Sequence, residues 1–253
     1  SNIKFFNNNF FKYLNFMNYI KLLAIYFFDL IDKYIHQKNI LRSLKNEKIK
    51  IKIFFDVGAH KGKYTDLILH NFNIKKVYMF EPQIKMFEFL KGKYKKRKKI
   101  INIFSYGISD KTQVTKFYIN KHDLTSSIKK LNPNNKYLNL KSKLFSTNLQ
   151  GMIEEKLKIR TIKLNDFLIK KGIKKIDLVK IDTEGHELEV LRGLGNKIKL
   201  VKAFLIEFHD NYTYINYNNK NIMTLLKKNK FILKKRIKFP FTTWEDRLYL
   251  NSN

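Results

Sequence analysis

Over most of this 253-residue chain, short runs of consecutive apolar residues alternate with stretches in which apolar residues recur every three or four positions. The runs Ile51–Asp56, Lys76–Phe80, Ile100–Tyr106, Ile176–Asp182 and Lys202–Phe208 are rich in Ile, Val and Phe. They predict buried strands, since a strand covered on both faces loses the in–out alternation of a half-exposed one. Tyr64–Phe72, Ile84–Tyr94, Leu164–Lys171 and Leu188–Leu194 carry helical spacing between them. Strand, helix, strand, helix in succession predicts an α/β fold, a mostly parallel twisted sheet with helices on both faces. A helix around Ile222–Lys228 and strands at Phe231–Arg236 and Arg247–Leu250 complete it.

Two regions stand outside this rhythm. From Phe10 to Leu44, apolar residues such as Leu14, Leu22, Tyr26, Leu30 and Tyr34 recur at helical spacing between Lys and Asn. Residues 1–49 therefore read as an N-terminal helical extension, and residues 50–253 as the principal domain. Its apolar face would suit the core or a second copy of the chain, so a homo-oligomer through this helix is one expectation, and a membrane-surface helix the sharper alternative. Between Val114–Ile119 and Leu157–Ile162, expected to pair as short strands, the Asn-, Lys- and Ser-rich stretch Asn120–Gln150 is an excursion long enough to suggest a role at the site. Its Thr125, Ser126 and Ser127 are the polar residues it would bring there.

Composition narrows the chemistry. No cysteine is present, which excludes disulfides, thiolate metal sites and a cysteine nucleophile. The net charge of +31 would ordinarily announce a nucleic-acid or anionic-surface partner. Only six of the 52 cations are Arg, however, the residue best shaped for bidentate phosphate recognition, and the abundance of Lys, Asn, Ile, Phe and Tyr is that of A/T-rich codons. The strongest basic run, Lys91–Lys99, falls at a predicted helix end where cations are cheaply solvated, and lacks the interleaved aromatics of a base-stacking platform. No specific nucleic-acid partner is expected. The most apolar stretch, Leu22–Phe28, is far short of the ~20 residues of a transmembrane span. No small-residue cleavage site follows the Asn-threaded start, so a cytoplasmic location is expected.

Candidate chemistry collects at the strand ends. In FFDVGAHKGKYT, Phe54–Thr65, a buried strand ends in Asp56 and is followed by Gly58, Ala59, His60 and Gly62, then by Tyr64 at the start of a helix. At the carboxyl edge of a parallel sheet such a turn admits close approach to a ligand, but neither a dinucleotide nor a P-loop fingerprint is complete. The second strand ends in Glu81 and Pro82, at the spacing of a carboxylate that holds a ribose diol. IDLVKIDTEGHELEVLRG, Ile176–Gly193, puts Asp182, Glu184 and His186 at a strand mouth, with Glu187 and Glu189 in the first turn of the next helix. AFLIEFHD, Ala203–Asp210, ends with Glu207 and His209 on one face.

DVGAHKGKYT, FEP, GISD (Gly107–Asp110), TIKLNDF (Thr161–Phe167), KIDTEGHE and IEFH together resemble the FkbM-type S-adenosylmethionine-dependent methyltransferases over about Lys50–Asn211. The resemblance implies a Rossmann-like methyltransferase fold with one reversed strand, and O-methylation of a hydroxyl, commonly of a sugar in a glycan or related metabolite. It implies that Asp56, Gly58, His60 and Gly62 surround the methionine part of S-adenosylmethionine, that Glu81 holds the ribose, and that Ala59, Tyr64, Ser109 and Asp182 also line the cofactor. His60 and Ser105 stand where members of the family usually have Asn, which touches side-chain contacts there and leaves the backbone role intact.

For transfer to a hydroxyl, His209 is the first candidate base because imidazole titrates near neutrality, with Asp182 second, while Glu184 and Glu207 would position sugar hydroxyls. Asp182, Glu184 and Glu207 are also the residues that would hold a divalent cation such as Mg²⁺. The competing classes are an RNA methyltransferase or polyanion-binding protein that uses the basic surface, and an inactive scaffold, against which the intact acid, glycine and FEP positions argue.

Overall fold

The computed structural model describes residues 23, 26–120, 126–135, 138–139 and 153–252. The start of the predicted N-terminal helix, Thr125 and most of the remaining excursion lie outside the described residues.

The strands are β1 (Ile53–Val57), β2 (Lys76–Phe80), β3 (Ile101–Phe104), β4 (Gly107–Ile108), β5 (Gln113–Asn120), β6 (Ile153–Ile162), β7 (Leu178–Ile181), β8 (Ala203–Phe208), β9 (Phe231–Lys238) and β10 (Glu245–Asn251). The principal sheet has the order β3-β2-β1-β7-β8-β10-β9. Its first five strands are parallel, and β10 runs antiparallel to both β8 and β9. The order turns back at β1 against β7, the switch point at which an open α/β sheet leaves a crevice at the strands' carboxyl ends. The excursion is anchored by a second sheet, β4-β6-β5, in which β5 and β6 pair antiparallel as expected.

Helices α2 (Lys63–Asn71), α3 (Ile84–Lys93), α4 (Leu164–Lys170), α5 (Glu187–Gly193) and α6 (Asn219–Lys228) follow the predicted spacing, with ends shifted by a few residues. The N-terminal segment is helical at 26–31, π-helical over Asp32–His36 and α-helical over Gln37–Asn46 (α1). Its apolar residues Ile40 and Leu44 are fully buried, packed with α2 and the β9–β10 edge of the sheet.

Period-2 alternation assigns the strand residues to two cores. Phe55, Val179, Ile181, Phe204 and Ile206 face Phe167 of α4, Leu191 of α5 and Leu226 of α6. Phe54, Leu178, Leu205 and Leu248 face Ile40 of α1, Ile68 of α2 and Leu90 of α3. Continued to the strand tips, the second face carries Asp56, Lys180, Glu207 and Asp246, all 6% exposed or less. They lie on four neighbouring strands: Asp56 pairs with Lys180 and Asp246 with Glu207, and Lys180 stands opposite Leu205, two residues before Glu207.

Candidate active site

The glycine turn after β1 is built by close approach. Gly58 has a φ of +81°, and a Cβ there would lie 1.7 Å from the carbonyl oxygen of Asp182. A side chain is therefore excluded both by backbone conformation and by β7's continuation. The amides of Gly58 and Ala59 donate to the carbonyl of Phe80, which ties the turn to the end of β2. Glu81, 2% exposed, accepts from the amide of His60 through Oε2 (2.8 Å) and from that of Gln83 through Oε1 (2.9 Å). His60 occupies the left-handed region at φ +45°. Gly62 caps α2 with a φ of +73°. A glycine-lined turn closed by a buried carboxylate is a donor set suited to a ribose-bearing cofactor.

Asp56 is buried and accepts from Thr65 Oγ1 at 2.6 Å; burial outweighs that bond and Lys180, and pushes its carboxyl up to about 6. The Tyr64 hydroxyl donates to Asp246 at 2.8 Å. Ser109 bonds to neighbours on β6 and at the start of α5. Its hydroxyl lies 2.9 Å from Nε2 of His186, and its amide donates to Ile162, so its contacts belong to the β4–α5 junction and not to the glycine turn. His186 leaves the acidic cluster with it, and burial lowers its pKa.

The tips of β7 and β8 do converge. Nε2 of His209 lies 3.7 Å from both Glu184 Oε2 and Glu207 Oε2. One ligating atom from each of Glu184, Glu207 and His209 falls within 4.8 Å of the others. The geometry thus substitutes His209 for Asp182 in the set expected for a cation, because Asp182 instead turns one oxygen to Lys180 Nζ at 3.4 Å.

Glu184 sits at φ +53°, a conformation that costs a non-glycine residue about 1–3 kcal/mol. Its surroundings hold it there. Ser127 Oγ donates to the Glu184 carbonyl at 2.5 Å, and Tyr214 donates to its carboxylate in a short hydrogen bond. The described part of the excursion therefore reaches the site, through Ser127. Glu187 ties the same loop from below: its Oε1 accepts from the amides of Thr183 and Gly185 and from the Thr183 hydroxyl, each at 3.1 Å. Burial nevertheless pushes its carboxyl up to about 7.

Burial also sets the protonation states. It pulls His209 down to about 4, which corrects the expectation of an imidazole titrating near neutrality; at neutral pH it is a neutral acceptor. Burial, then the neighbouring Asp182, raises Glu207 well above the usual carboxylate range. Asp182 is held below that range despite burial, chiefly by Lys180.

Three participants escaped the sequence reading. Lys180 is 1% exposed, and its one signal was a lysine inside an apolar strand. Asp246, fully buried, and His36, fully buried on the N-terminal segment, carried none, since their relation to β7 exists only after folding.

Residues 56–233 match the methyltransferase FkbM domain. The chain belongs to the FkbM methyltransferase family. It is 26% identical over 174 residues to the hexuronic acid methyltransferase AglP of Haloferax volcanii, covering 68% of this chain and 62% of that protein. The chain thus spans less than two thirds of that relative. Its fold resembles the crystal structure of methyltransferase FkbM from Methylobacillus flagellatus KT, with a TM-score of 0.51 and 14% identity over 79% of this chain and 44% of that one. Among the described residues, no helix of this family member is long and apolar enough to cross a membrane.

Proposed function

We propose that this chain is an S-adenosylmethionine-dependent methyltransferase that transfers the methyl group to a hydroxyl of a sugar, in a glycan or a related metabolite. The observation that carries the reading is the convergence of Glu184, Glu207 and His209 within 4.8 Å, beside an Asp182 whose carbonyl abuts the glycine turn. The Glu184 carboxylate, the carboxyl of Glu207 and a neutral imidazole clustered next to the glycine turn suit a polyhydroxylated acceptor, whose hydroxyls need several hydrogen-bond partners at once. The naming of a relative as a hexuronic acid methyltransferase supports the same class.

S-adenosylmethionine supplies an electrophilic methyl group on a sulfonium. Glu81 holds its ribose, and the turn from Asp56 to Gly62 its methionine part. Glu184 and Glu207 align the acceptor, which removes much of the entropic barrier. His209 takes the hydroxyl proton at Nε2, and the anionic Asp182 favours the imidazolium that results. The test is transfer of labelled methyl to a panel of neutral and acidic methyl glycosides, with RNA in a parallel arm at moderate salt. Label in glycosides and not in RNA is expected, and label in RNA alone would overturn the reading.

The same three residues support a second reading, a hard dication such as Mg²⁺ held by Glu184, Glu207 and His209 that acidifies the hydroxyl. His209 is then a ligand and not a base. Turnover abolished by a chelator and restored by Mg²⁺ selects this alternative, and turnover indifferent to chelation selects the base.

A further inference from the structure

Lys180, Asp246 and His36 are charged or polar groups in the core that the methyl-transfer reading leaves unused, and they are contiguous. Lys180 Nζ lies 3.4 Å from Asp182 Oδ2 and 3.2 Å from Asp246 Oδ1, and 4.2 Å from the centre of the Tyr64 ring. The other oxygen of Asp246 accepts from His36 Nε2 and from the Tyr64 hydroxyl, each at 2.8 Å. The side chains of His36, Asp246 and Lys180 are 0%, 0% and 1% exposed. Phe239 and Trp244 flank the imidazole, with ring centres 5.2 and 5.1 Å away.

Burying such a row is expensive. Each ion loses several kcal/mol of hydration, and apolar residues of similar volume at these positions would commonly serve stability as well or better. Leu178, Leu205 and Leu248 do so on the same face. The charges stand at the strand tips nearest the candidate site, and the row ends on Asp182. On the reading of Asp182 as a site residue, we propose that His36, Asp246 and Lys180 are positioning residues that fix the Asp182 carboxylate, which makes the N-terminal helical segment a working part of the methyl-transfer site. Lys180 orients one oxygen of Asp182, Asp246 holds the ammonium in line, and His36 holds Asp246.

The test uses the full chain with S-adenosylmethionine, and methyl glucuronide and methyl glucoside as acceptors. His36→Leu should lower kcat at least tenfold with the KM for S-adenosylmethionine within threefold of wild type. His36→Gln, whose amide reaches Asp246 as Nε2 does, should restore most of it. His36 and Lys180 both bind Asp246, so His36→Leu with Lys180→Met should lose no more than the larger single loss, whereas independent structural effects would multiply. Hydrogen exchange supplies a readout that needs no acceptor. The amides of 181–185 should exchange at least tenfold faster in His36→Leu, with β2 and α3 unchanged. Multiplying losses, or an unchanged 181–185 segment, would overturn the proposal. If wild type methylates neither glycoside, the acceptor assignment fails, and the exchange measurement alone decides the network.

Discussion

Replacing Gly58 by alanine measures how tightly the glycine turn is wedged against β7. The added Cβ would stand 1.7 Å from the Asp182 carbonyl oxygen, where real Cβ contacts are not seen below 3.0 Å, and the obstacle is backbone, which cannot rotate aside. Holding alanine at a φ of +81° costs about 1–2 kcal/mol by itself. Relieving the overlap requires β1 and β7 to separate at their tips, at a cost comparable to overpacking a core, about 1–3 kcal/mol. Together these approach 3–4 kcal/mol, a large part of the ~5–15 kcal/mol stability of a typical domain. Urea unfolding should show a midpoint about 1–4 M lower, given a typical slope of about 1–3 kcal/mol per molar. Calorimetry at a temperature where the variant is still folded should show S-adenosylmethionine binding weakened at least tenfold, because the turn and Asp182 move apart. Gly92→Ala is the control. Gly92 lies in α3 with nothing within 4 Å of an added Cβ, so that variant should gain about 0.5–1 kcal/mol from helix propensity. A Gly58→Ala protein as stable as wild type, binding the cofactor normally, would refute the close-approach argument.

Three further outcomes are expected. Glu81→Gln keeps the shape but loses the charge that accepts from His60 and Gln83, and calorimetry should show cofactor affinity at least tenfold lower; unchanged affinity would remove Glu81 from the ribose role. Glu187 has its folded pKa raised from 4.5 to about 7, so the folded state binds more protons than the unfolded one between those values, and its contribution to stability falls as pH rises from about 4.5 to 7. Glu187→Gln should therefore gain on wild type, by an amount on the order of 2–3 kcal/mol, between pH 4.5 and pH 8 in urea titrations, and a constant difference across that range would contradict the raised pKa. Ser109→Ala removes the partner of the buried His186 and should cost about 1–3 kcal/mol of stability while leaving cofactor affinity within threefold, since its contacts lie at the β4–α5 junction; a large loss of affinity would place Ser109 at the cofactor after all.

The glycine turn and the buried acids beside it were legible because each of their signals is local. Gly58 and Gly62 mark positive φ, Asp56 and Glu81 end apolar strands, and strand ends in a parallel sheet share one edge. His209 shows the limit of such reasoning. Its place beside Glu207 follows from neighbouring strand ends, yet its acidity follows from how completely the fold excludes water around it, and that moved it from near neutrality to about 4. The roles of Glu187 and Ser127 depended likewise on the path of a loop, which carries no periodicity to read.

By itself, the amino-acid sequence determined the alternation of strands and helices, the reversed-strand sheet through its family likeness, and the acids at the strand tips, since hydrophobic periodicity and glycine punctuation act over a few residues. Tertiary structure alone decided that His36 and Asp246, 210 positions apart, meet and reach Asp182 through Lys180. A buried charge finds its partner through strand order and burial, and both are set by the packing of the whole sheet.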